Sequence, residues 1–307
     1  MRHLHHHRPA RLAFTVIELL TAIFVVALLV SICLPAMSAG RESARRVSCS
    51  SNLRELSLAA LLETEISGRY FRYGRPVRRL LPNLSSVYEH DGATSHGDWP
   101  SHASEPLLKC PSEVVPNRGG DIVSYRPCSG VGRRHSDINS KLSGVYALNK
   151  PDPIAGPQHV IDGTSHTALL SERMINRPAV PRPNDDRLGI WALHTTPSSL
   201  QKFASLCVPS STIRPVALMN LDPAGGDLHG VYSHVTAPNS RGCLYGSRSN
   251  LPLSKEYRSE PATSYHPHGV NVAFADGHVS FTNEAINVPT WRELSTISSE
   301  STHSASF

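Results

Sequence analysis

Three histidines and one aspartate lie within thirteen residues near the C-terminal end of the chain. They are His266, His268, Asp276 and His278. Imidazole and carboxylate groups are zinc ligands, and residues i and i+2 of a strand share a face, so His266, Asp276 and His278 are candidate Zn²⁺ ligands. No His-Glu-x-x-His sequence accompanies them, and no glutamate is placed as a general base. The pattern favours a hydrogen-bonding role, in which His266 donates to a loop and Asp276 caps its turn.

A turn followed by a buried strand is predicted at Asp162-Gly163 and residues 167–170. The Asp-Gly pair permits a positive φ, and the following stretch is apolar and partly β-branched. Side-chain oxygens here are of the kind that bind Ca²⁺. The candidate ligands are Asp162, Thr164 and Ser165. An Asx-turn to neighbouring backbone amides is the simpler interpretation. Glu172 and Arg173 are predicted to fix a strand end and not to catalyse a reaction.

A long apolar run near the N-terminus contains a single charged residue, Glu18. The run, residues 14–37, is long enough to cross a hydrocarbon core of about 30 Å as one helix. An unpaired carboxylate at the bilayer centre costs about 2.5–3.5 kcal/mol. The thirteen preceding residues carry three arginines and no acid, which predicts a cytoplasmic N-terminus. Cleavage between Ala13 and Phe14 would place an ammonium group close to Glu18 of the same or a neighbouring copy.

The six cysteines are divided between the apolar run and the rest of the chain. Cys33 lies in the run, and the other five are expected in an oxidising compartment, where disulfides persist. An odd number leaves at least one cysteine free or paired between chains. Cys110 and Cys128 are close enough in sequence to pair, as are Cys207 and Cys243. No Cys-x-x-Cys spacing occurs, which disfavours a zinc site built on cysteine.

One helix is predicted from about residue 14 to 66, with its second half packed on a sheet. Residues 38–66 contain no proline and good helix formers. Pro35 is predicted to kink the helix and Gly68 to end it. The stripe expected to be buried consists of Leu53, Leu56 and Ala60. Its spacing is helical, which predicts an amphipathic segment.

Beyond residue 68 the composition shifts to proline, serine, glycine and short β-prone runs, which predicts short strands joined by turns. Val270, Val272 and Phe274 alternate with smaller or polar residues, and an Asp-Gly pair follows at 276–277. This pattern predicts a β-hairpin. Trp291 is expected to pack the C-terminal tail onto the domain. The predicted class is therefore α+β: a membrane-spanning helix that continues into an amphipathic helix packed on a β-rich head.

Net charge gives no reason to expect a nucleic-acid partner. The formal charge is +5, from 30 basic and 25 acidic residues. Residues 1–13 carry three of the arginines, and without them 27 basic residues remain against 25 acidic ones. So small an excess does not support a basic surface for nucleic acid.

Residues 13–20 resemble the type IV prepilin cleavage and methylation signature, in which a small residue is followed by Phe and then Glu at the fifth mature position. Residues 40–53 resemble the segment after the membrane helix in a bacterial subfamily of pseudopilin-like proteins. These end in a domain named for a His-x9-Asp-Gly motif, matched here by His266 and Asp276-Gly277. Asp162-Gly163 begins another run similar to the subfamily. The chain departs from these patterns at Ala13, where Gly is usual, and at His234, where Asn is usual.

The resemblance implies a leader at 1–13, a transmembrane helix at 14–37, its amphipathic continuation at 38–67 and a β-rich periplasmic domain at 68–307. It implies cleavage after Ala13 by prepilin peptidase and methylation of the new Phe14 amine. Other pseudopilin subunits would then be the partners, in a pilus or pseudopilus of a type II secretion-like system. The location implied is the bacterial inner membrane. No catalytic residue or cofactor is implied.

The sequence also allows other functions. A monomeric, membrane-anchored module could bind a glycan, a cell-wall component or a protein through its long loops, with or without cleavage. A metal-dependent hydrolase could use His266, Asp276 and His278. An uncleaved anchor or an ordinary secretory signal would also place an apolar run here, although such signals are shorter. A serine hydrolase is disfavoured because no Gly-x-Ser-x-Gly elbow is present. The sequence favours a structural subunit that assembles through its helix.

Overall fold

The computed structural model describes a long helix and most of a β-rich head. The described residues are 15–68, 70, 106–113, 123–131, 143–146, 156–174, 190–193, 199–207, 214–215, 231–245 and 257–298. The chain divides into two compact units, Met1–Ala44 and Arg45–Phe307. The first contains the N-terminal part of the helix. The second contains the rest of the helix and the head.

Helix α1 spans Val16–Ser67 and includes residues 16–37 of the predicted apolar run. It is the one helix among the described residues that is long and apolar enough to cross a membrane. Its large apolar side chains between Val16 and Leu34 are all exposed. Pro35 lies inside the helix. Gly68 ends it with φ +69° and donates its N–H to Thr64 O at 2.8 Å, a left-handed C-terminal cap as predicted.

The head of the second unit contains two four-stranded sheets and two short helices among its described residues. The strands are β1 (Tyr125–Pro127), β2 (Ala168–Glu172), β3 (Ile190–Leu193), β4 (Arg214–Pro215), β5 (Gly242–Tyr245), β6 (Tyr257–Ser259), β7 (Gly269–Phe274) and β8 (Val279–Asn283). The helices are α2 (Leu200–Leu206) and α3 (Val288–Glu293). This confirms the predicted α+β class with a long N-terminal helix.

The first sheet has the order β1-β2-β7-β8 and is antiparallel throughout. The second sheet has the order β4-β3-β5-β6, in which β3 and β5 run parallel. Residues 168–172 and 269–274 are buried at every position, because β2 and β7 are the central strands of the first sheet and have packing partners on both faces.

The second half of α1 packs against one face of the first sheet. The predicted stripe is buried, and the same face also contains Cys49, Ser57 and Thr64. Arg54, Glu55 and Glu63 lie on the exposed side. The sheet residues in this core include Tyr125, Leu169, Leu170 and Ala273. Burying a Leu side chain contributes about 1.5–3 kcal/mol, so this stripe is a large part of what holds the helix to the head.

Strands β7 and β8 form the hairpin predicted around Asp276-Gly277. Gly277 has φ +90°, a conformation that favours glycine. Asp276 Oδ1 accepts from the backbone N–H of His278 at 3.0 Å and from its Nδ1–H at 2.6 Å. The turn also contacts α1, because Ser57 Oγ donates to Gly277 O at 3.3 Å. The Asp-Gly pair therefore closes the hairpin at the surface of the helix.

Helix α3 anchors the C-terminal end of the described chain through Trp291, as predicted. The indole is fully buried, and its Nε1–H donates to Thr236 O at 3.0 Å. The ring of His234 stacks on it with centroids 3.4 Å apart. His234 Nδ1–H donates to Trp291 O, since a carbonyl can only accept, so Nε2 is left to accept from the hydroxyl of Tyr232 at 3.2 Å. Full burial of the ring favours this neutral form of the imidazole.

The Gly277→Ala variant tests the turn. An added Cβ would lie 3.1 Å from Leu61 Cδ1, and a non-glycine residue in this conformation costs about 1–2 kcal/mol. We expect the free energy of unfolding of the head to fall by about 1–2 kcal/mol, measured by denaturant titration of the full chain in detergent. Gly40→Ala, with open space around its Cβ, should cause no loss. Equal stability of Gly277→Ala and wild type would contradict the account.

The pH dependence of stability tests the environment of His234. Burial lowers the pKa of His234 to about 3, against the opposing effect of its hydrogen bond to Trp291. The unfolded chain, with a pKa of about 6.5, takes up a proton below that pH while the folded chain stays neutral down to about 3. Stability should therefore be fully present above pH 6.5 and fall by about 2 kcal/mol at pH 5.

Denaturant unfolding at about pH 7.5 and pH 5 measures this loss. The His234→Asn variant removes the titrating group and keeps an amide that can donate to Trp291 O. It should lack this part of the pH dependence. The same pH dependence in both proteins would show that His234 is not the group responsible.

Candidate functional site

Four side chains with metal-binding or acid–base chemistry meet where α1 packs on the head. They are Cys49, Cys110, Glu172 and His266, called the buried cluster below. All four are buried, and their ligand atoms lie within 4.8 Å of one another. Among the described residues this is the one group of three or more His, Cys, Asp or Glu side chains so arranged.

Each member comes from a different element of the second unit. Cys49 lies on α1, one turn before Leu53 on the same buried stripe. Cys110 follows the short 3₁₀ helix Pro106–Leu108, Glu172 ends β2, and His266 lies in the turn that precedes β7. The cluster thus brings together residues more than 200 positions apart along the chain.

A disulfide joins Cys49 to Cys110 across 61 residues. It links the helix covalently to the head at the edge of the first sheet. The imidazole of His266 lies against this bond, with Nε2 at 3.5 Å from Cys110 Sγ. In this oxidised state the two sulfurs are bonded to each other and not available as thiolate ligands.

The carboxylate of Glu172 is the most strongly hydrogen-bonded group in the cluster. Oε2 accepts from the backbone N–H of Asn271 at 2.9 Å, and Oε1 accepts from Asn271 Nδ2 at 2.8 Å. His266 Nε2 lies 3.2 Å from Oε1. Three contacts of this kind offset the cost of burying the group. Burial raises the pKa of Tyr125 well above its usual range, and the carboxylate of Glu172 raises it further.

The surroundings of the cluster fix the position of His266. Its backbone N–H donates to Ser264 Oγ at 3.1 Å, and the N–H of Ser264 donates to Asn239 Oδ1 at 2.9 Å. A cavity of about 10 Å³ borders Cys110 and Glu172. This volume is about what a single water molecule or ion needs. A rigid set of sulfur, nitrogen and oxygen atoms beside a one-atom cavity is suited to holding a metal ion or a proton.

One family model matches residues 82–288, which is more than half of the chain, and its description is "Protein of unknown function (DUF1559)". The chain belongs to this family. No curated protein and no solved structure matches the chain. The DUF1559 match includes Cys110, Glu172 and His266 of the buried cluster. Cys49 lies outside it, on α1.

The structure does not bring the three candidate metal ligands from the sequence together. His266 is buried beside Glu172, whereas Asp276 and His278 are partly exposed at the hairpin turn. The six residues of β7 separate the two places, a span of about 20 Å. Burial alone would raise the pKa of Asp276, but its two hydrogen bonds from His278 outweigh burial and lower it. Asp276 caps its turn as expected. His266 contacts Glu172, and its expected hydrogen bond to a loop stays a prediction.

Asp162 and Gly163 lie in the turn that leads into β2, as the sequence predicted. Gly163 has φ +91° and precedes the 3₁₀ helix Thr164–His166. The backbone N–H of Asp162 donates to Ile297 O at 3.4 Å, which brings the C-terminal tail onto the turn. Ser165 Oγ contacts the ring of His166 at 3.1 Å. The Ca²⁺ hypothesis for this turn stays a prediction.

The cysteine pairing differs from the sequence prediction at one of two disulfides. Cys110 pairs with Cys49 and not with Cys128, because packing of α1 on the sheet brings residue 49 to the strand end. Cys207 is joined to Cys243, so α2 is linked to β5 beside the second sheet. Cys128 is a fully buried thiol, and burial raises its pKa to about 12.

The predicted processing residues lie at the start of α1. Ala13 and Phe14 fall outside the described residues. Glu18 forms a capping box with Thr15: its Oε2 accepts from the Thr15 N–H at 2.9 Å, and its N–H donates to Thr15 Oγ1 at 3.3 Å. The sequence interpretation missed this local role, although Thr-x-x-Glu before an apolar run is the signal for it.

Two further residues of the site were also missed. Asn271 holds both oxygens of Glu172, yet in the sequence it is a polar residue within a strand pattern and gives no sign of its partner. Cys49 could have been considered through its helical spacing to Leu53 and Leu56, which predicts that it faces the core.

The stability effect of the Cys49–Cys110 disulfide can be measured with a double variant. Closing a loop of 61 residues contributes about 4 kcal/mol in the chain-entropy account. We expect Cys49→Ala with Cys110→Ala to lower the free energy of unfolding of the head by about that amount, measured by denaturant titration in detergent. Cys33→Ala removes an exposed free cysteine and should change nothing. An unchanged midpoint in the double variant would contradict the structural role of this disulfide.

Proposed function

We propose that this DUF1559 chain is a pseudopilin-like structural subunit of the bacterial inner membrane. Prepilin peptidase would cut between Ala13 and Phe14, and the mature helix would join other pseudopilin subunits in a pilus or pseudopilus of a type II secretion-like system. The head would lie in the periplasm. The chain would catalyse no reaction, and its work would be assembly.

The observation that carries this proposal is the division of α1. Between Val16 and Leu34 every large apolar side chain is exposed, and one acid, Glu18, lies at the start. From Cys49 to Ala60 one face of the same helix is buried against the head. An apolar surface of this length needs lipid or other helices as its surroundings. A helix that is covalently tied to a head can display that head on an assembly of helices.

Glu18 has two roles in this proposal. The first requires an oxygen acceptor, and the second requires a negative charge. As a capping residue it accepts from the backbone N–H of Thr15 through a side-chain oxygen, which a neutral amide can also supply. As an assembly residue it pairs its negative charge with the Phe14 ammonium of the same or a neighbouring copy. Only the second role requires the charge. We propose that both operate, with capping in the isolated subunit and charge pairing in the assembly.

Cysteine cross-linking in membranes tests assembly directly. Cys33 lies exposed within the apolar segment, and Cys128 is buried in the head and protected from oxidants. Moving the cysteine through one helical turn covers every face of the helix. The four positions are Val30, Ser31, Ile32 and the native Cys33. Helix-to-helix adducts at one or more of them are expected, and Cys33→Ser without a replacement should give none.

Charge variants then separate the two roles of Glu18. Glu18→Gln keeps an oxygen acceptor but removes the charge, whereas Thr15→Ala removes the capping hydroxyl but keeps the charge. We expect Glu18→Gln to lower adduct yield about tenfold. Losing about 1.4 kcal/mol of association free energy from the charge pair lowers the association constant of the helices by a factor of ten. Thr15→Ala should retain most of it, and both variants should insert into membranes normally.

Two results would reject the proposal. Wild-type levels of adduct in Glu18→Gln would exclude charge pairing as the basis of assembly. Absence of adducts at all four positions, with normal membrane insertion, would leave a monomeric membrane-anchored binding module as the better account.

A further inference from the structure

The buried cluster has the donor set of a tetrahedral zinc site. Its four groups are two cysteine sulfurs, one imidazole nitrogen and one carboxylate oxygen. Zinc takes these ligand types in four-coordinate sites. We propose that the cluster binds one Zn²⁺ when the Cys49–Cys110 disulfide is reduced, so that the disulfide and the metal are alternative links between α1 and the head.

The distances within the cluster support this directly. With Zn–S of about 2.3 Å and Zn–N or Zn–O of about 2.05 Å, a tetrahedron separates sulfur from nitrogen by about 3.5 Å and nitrogen from oxygen by about 3.3 Å. Cys110 Sγ lies 3.5 Å from His266 Nε2, and His266 Nε2 lies 3.2 Å from Glu172 Oε1. Two of the six ligand-to-ligand separations therefore already have the values that the metal requires, and all four ligand atoms lie within 4.8 Å of one another. The two bonded sulfurs must move apart for the metal to enter.

The groups around the ligands are those expected of a metal site. Asn271 holds both oxygens of Glu172, which orients the carboxylate as second-layer hydrogen bonds do around bound zinc. The turn that carries His266 is held by Ser264. The cavity beside Cys110 and Glu172 provides space for local rearrangement. Packing of α1 and the first sheet keeps the four backbones together when the sulfur–sulfur bond is absent.

The disulfide is replaced by zinc in two steps, reduction and then metal binding. A dithiol reductant transfers two electrons and two protons to the Cys49–Cys110 bond, which gives two protein thiols and one disulfide in the reductant. Zn²⁺ then displaces the two thiol protons to solvent and binds both thiolates. His266 binds through Nε2 as the neutral imidazole, with its remaining proton on Nδ1. Glu172 contributes one carboxylate oxygen.

Zinc uptake by the full chain in detergent tests the proposal. One sample is kept oxidised and a second is reduced with a dithiol under anaerobic conditions. Both are incubated with Zn²⁺, passed through a desalting column and analysed for metal by mass spectrometry. We expect one zinc per reduced chain and none per oxidised chain. A reduced chain without stoichiometric zinc would overturn the proposal.

The other disulfide provides a matched control. Cys207→Ser with Cys243→Ser removes two thiols separated by 36 residues and should leave one zinc per reduced chain. Cys49→Ser with Cys110→Ser should abolish uptake. The opposite pattern would place the metal at the second disulfide and reject the buried cluster.

Two readouts distinguish a specific site from thiols in a chain that has lost its fold. Cobalt bound to the reduced wild type should show thiolate-to-metal charge transfer and the strong visible bands of tetrahedral Co²⁺. Octahedral or absent bands would contradict the proposed geometry. Asn271→Ala keeps all four ligands but removes a hydrogen bond to Glu172, and it should weaken zinc binding about 10–100-fold. Unchanged affinity in that variant would show that Glu172 is not a ligand.

Discussion

Helix α1 has to leave an apolar surface exposed between Val16 and Leu34 and bury Cys49, Leu53 and Leu56 in the head. One continuous helix therefore has to suit two surroundings. The exposed part is favourable only in lipid or against other helices, because water penalises apolar area at about 25 cal/mol per Å². The buried part requires a sheet of matching shape. The hairpin turn at Gly277, the disulfide at Cys49 and the antiparallel first sheet all contribute to that second requirement.

The buried cluster lies where the second half of α1 packs on the head. Glu172 would be costly to bury alone, but Asn271 and His266 contact its oxygens and the disulfide covers it from the side of the helix. His266 contacts Glu172 in this cluster, whereas Asp276-Gly277 lies at the other end of β7, with Asp276 exposed and Gly277 buried against α1. His266 thus helps to form the cluster, and the Asp-Gly pair closes the hairpin against α1.

Features set by local pattern could be predicted from the sequence, and features set by long-range packing could not. The helix, its cap at Gly68, the hairpin and the anchor at Trp291 each follow from spacing or turn chemistry within a few residues. The pairing of Cys110 with Cys49 depends on how α1 packs on the sheet, so proximity to Cys128 in sequence was misleading. The parallel pairing of β3 with β5 joins segments about fifty residues apart and has no local signal.

The central claim is that the exposed helix belongs to a processed subunit that assembles in the membrane. Mass spectrometry of the N-terminal peptide from protein purified out of its native membrane tests this most directly. The account predicts a chain that begins at Phe14 and carries one added methyl group on its amine. A chain that still begins at Met1, with residues 1–13 attached, would contradict it.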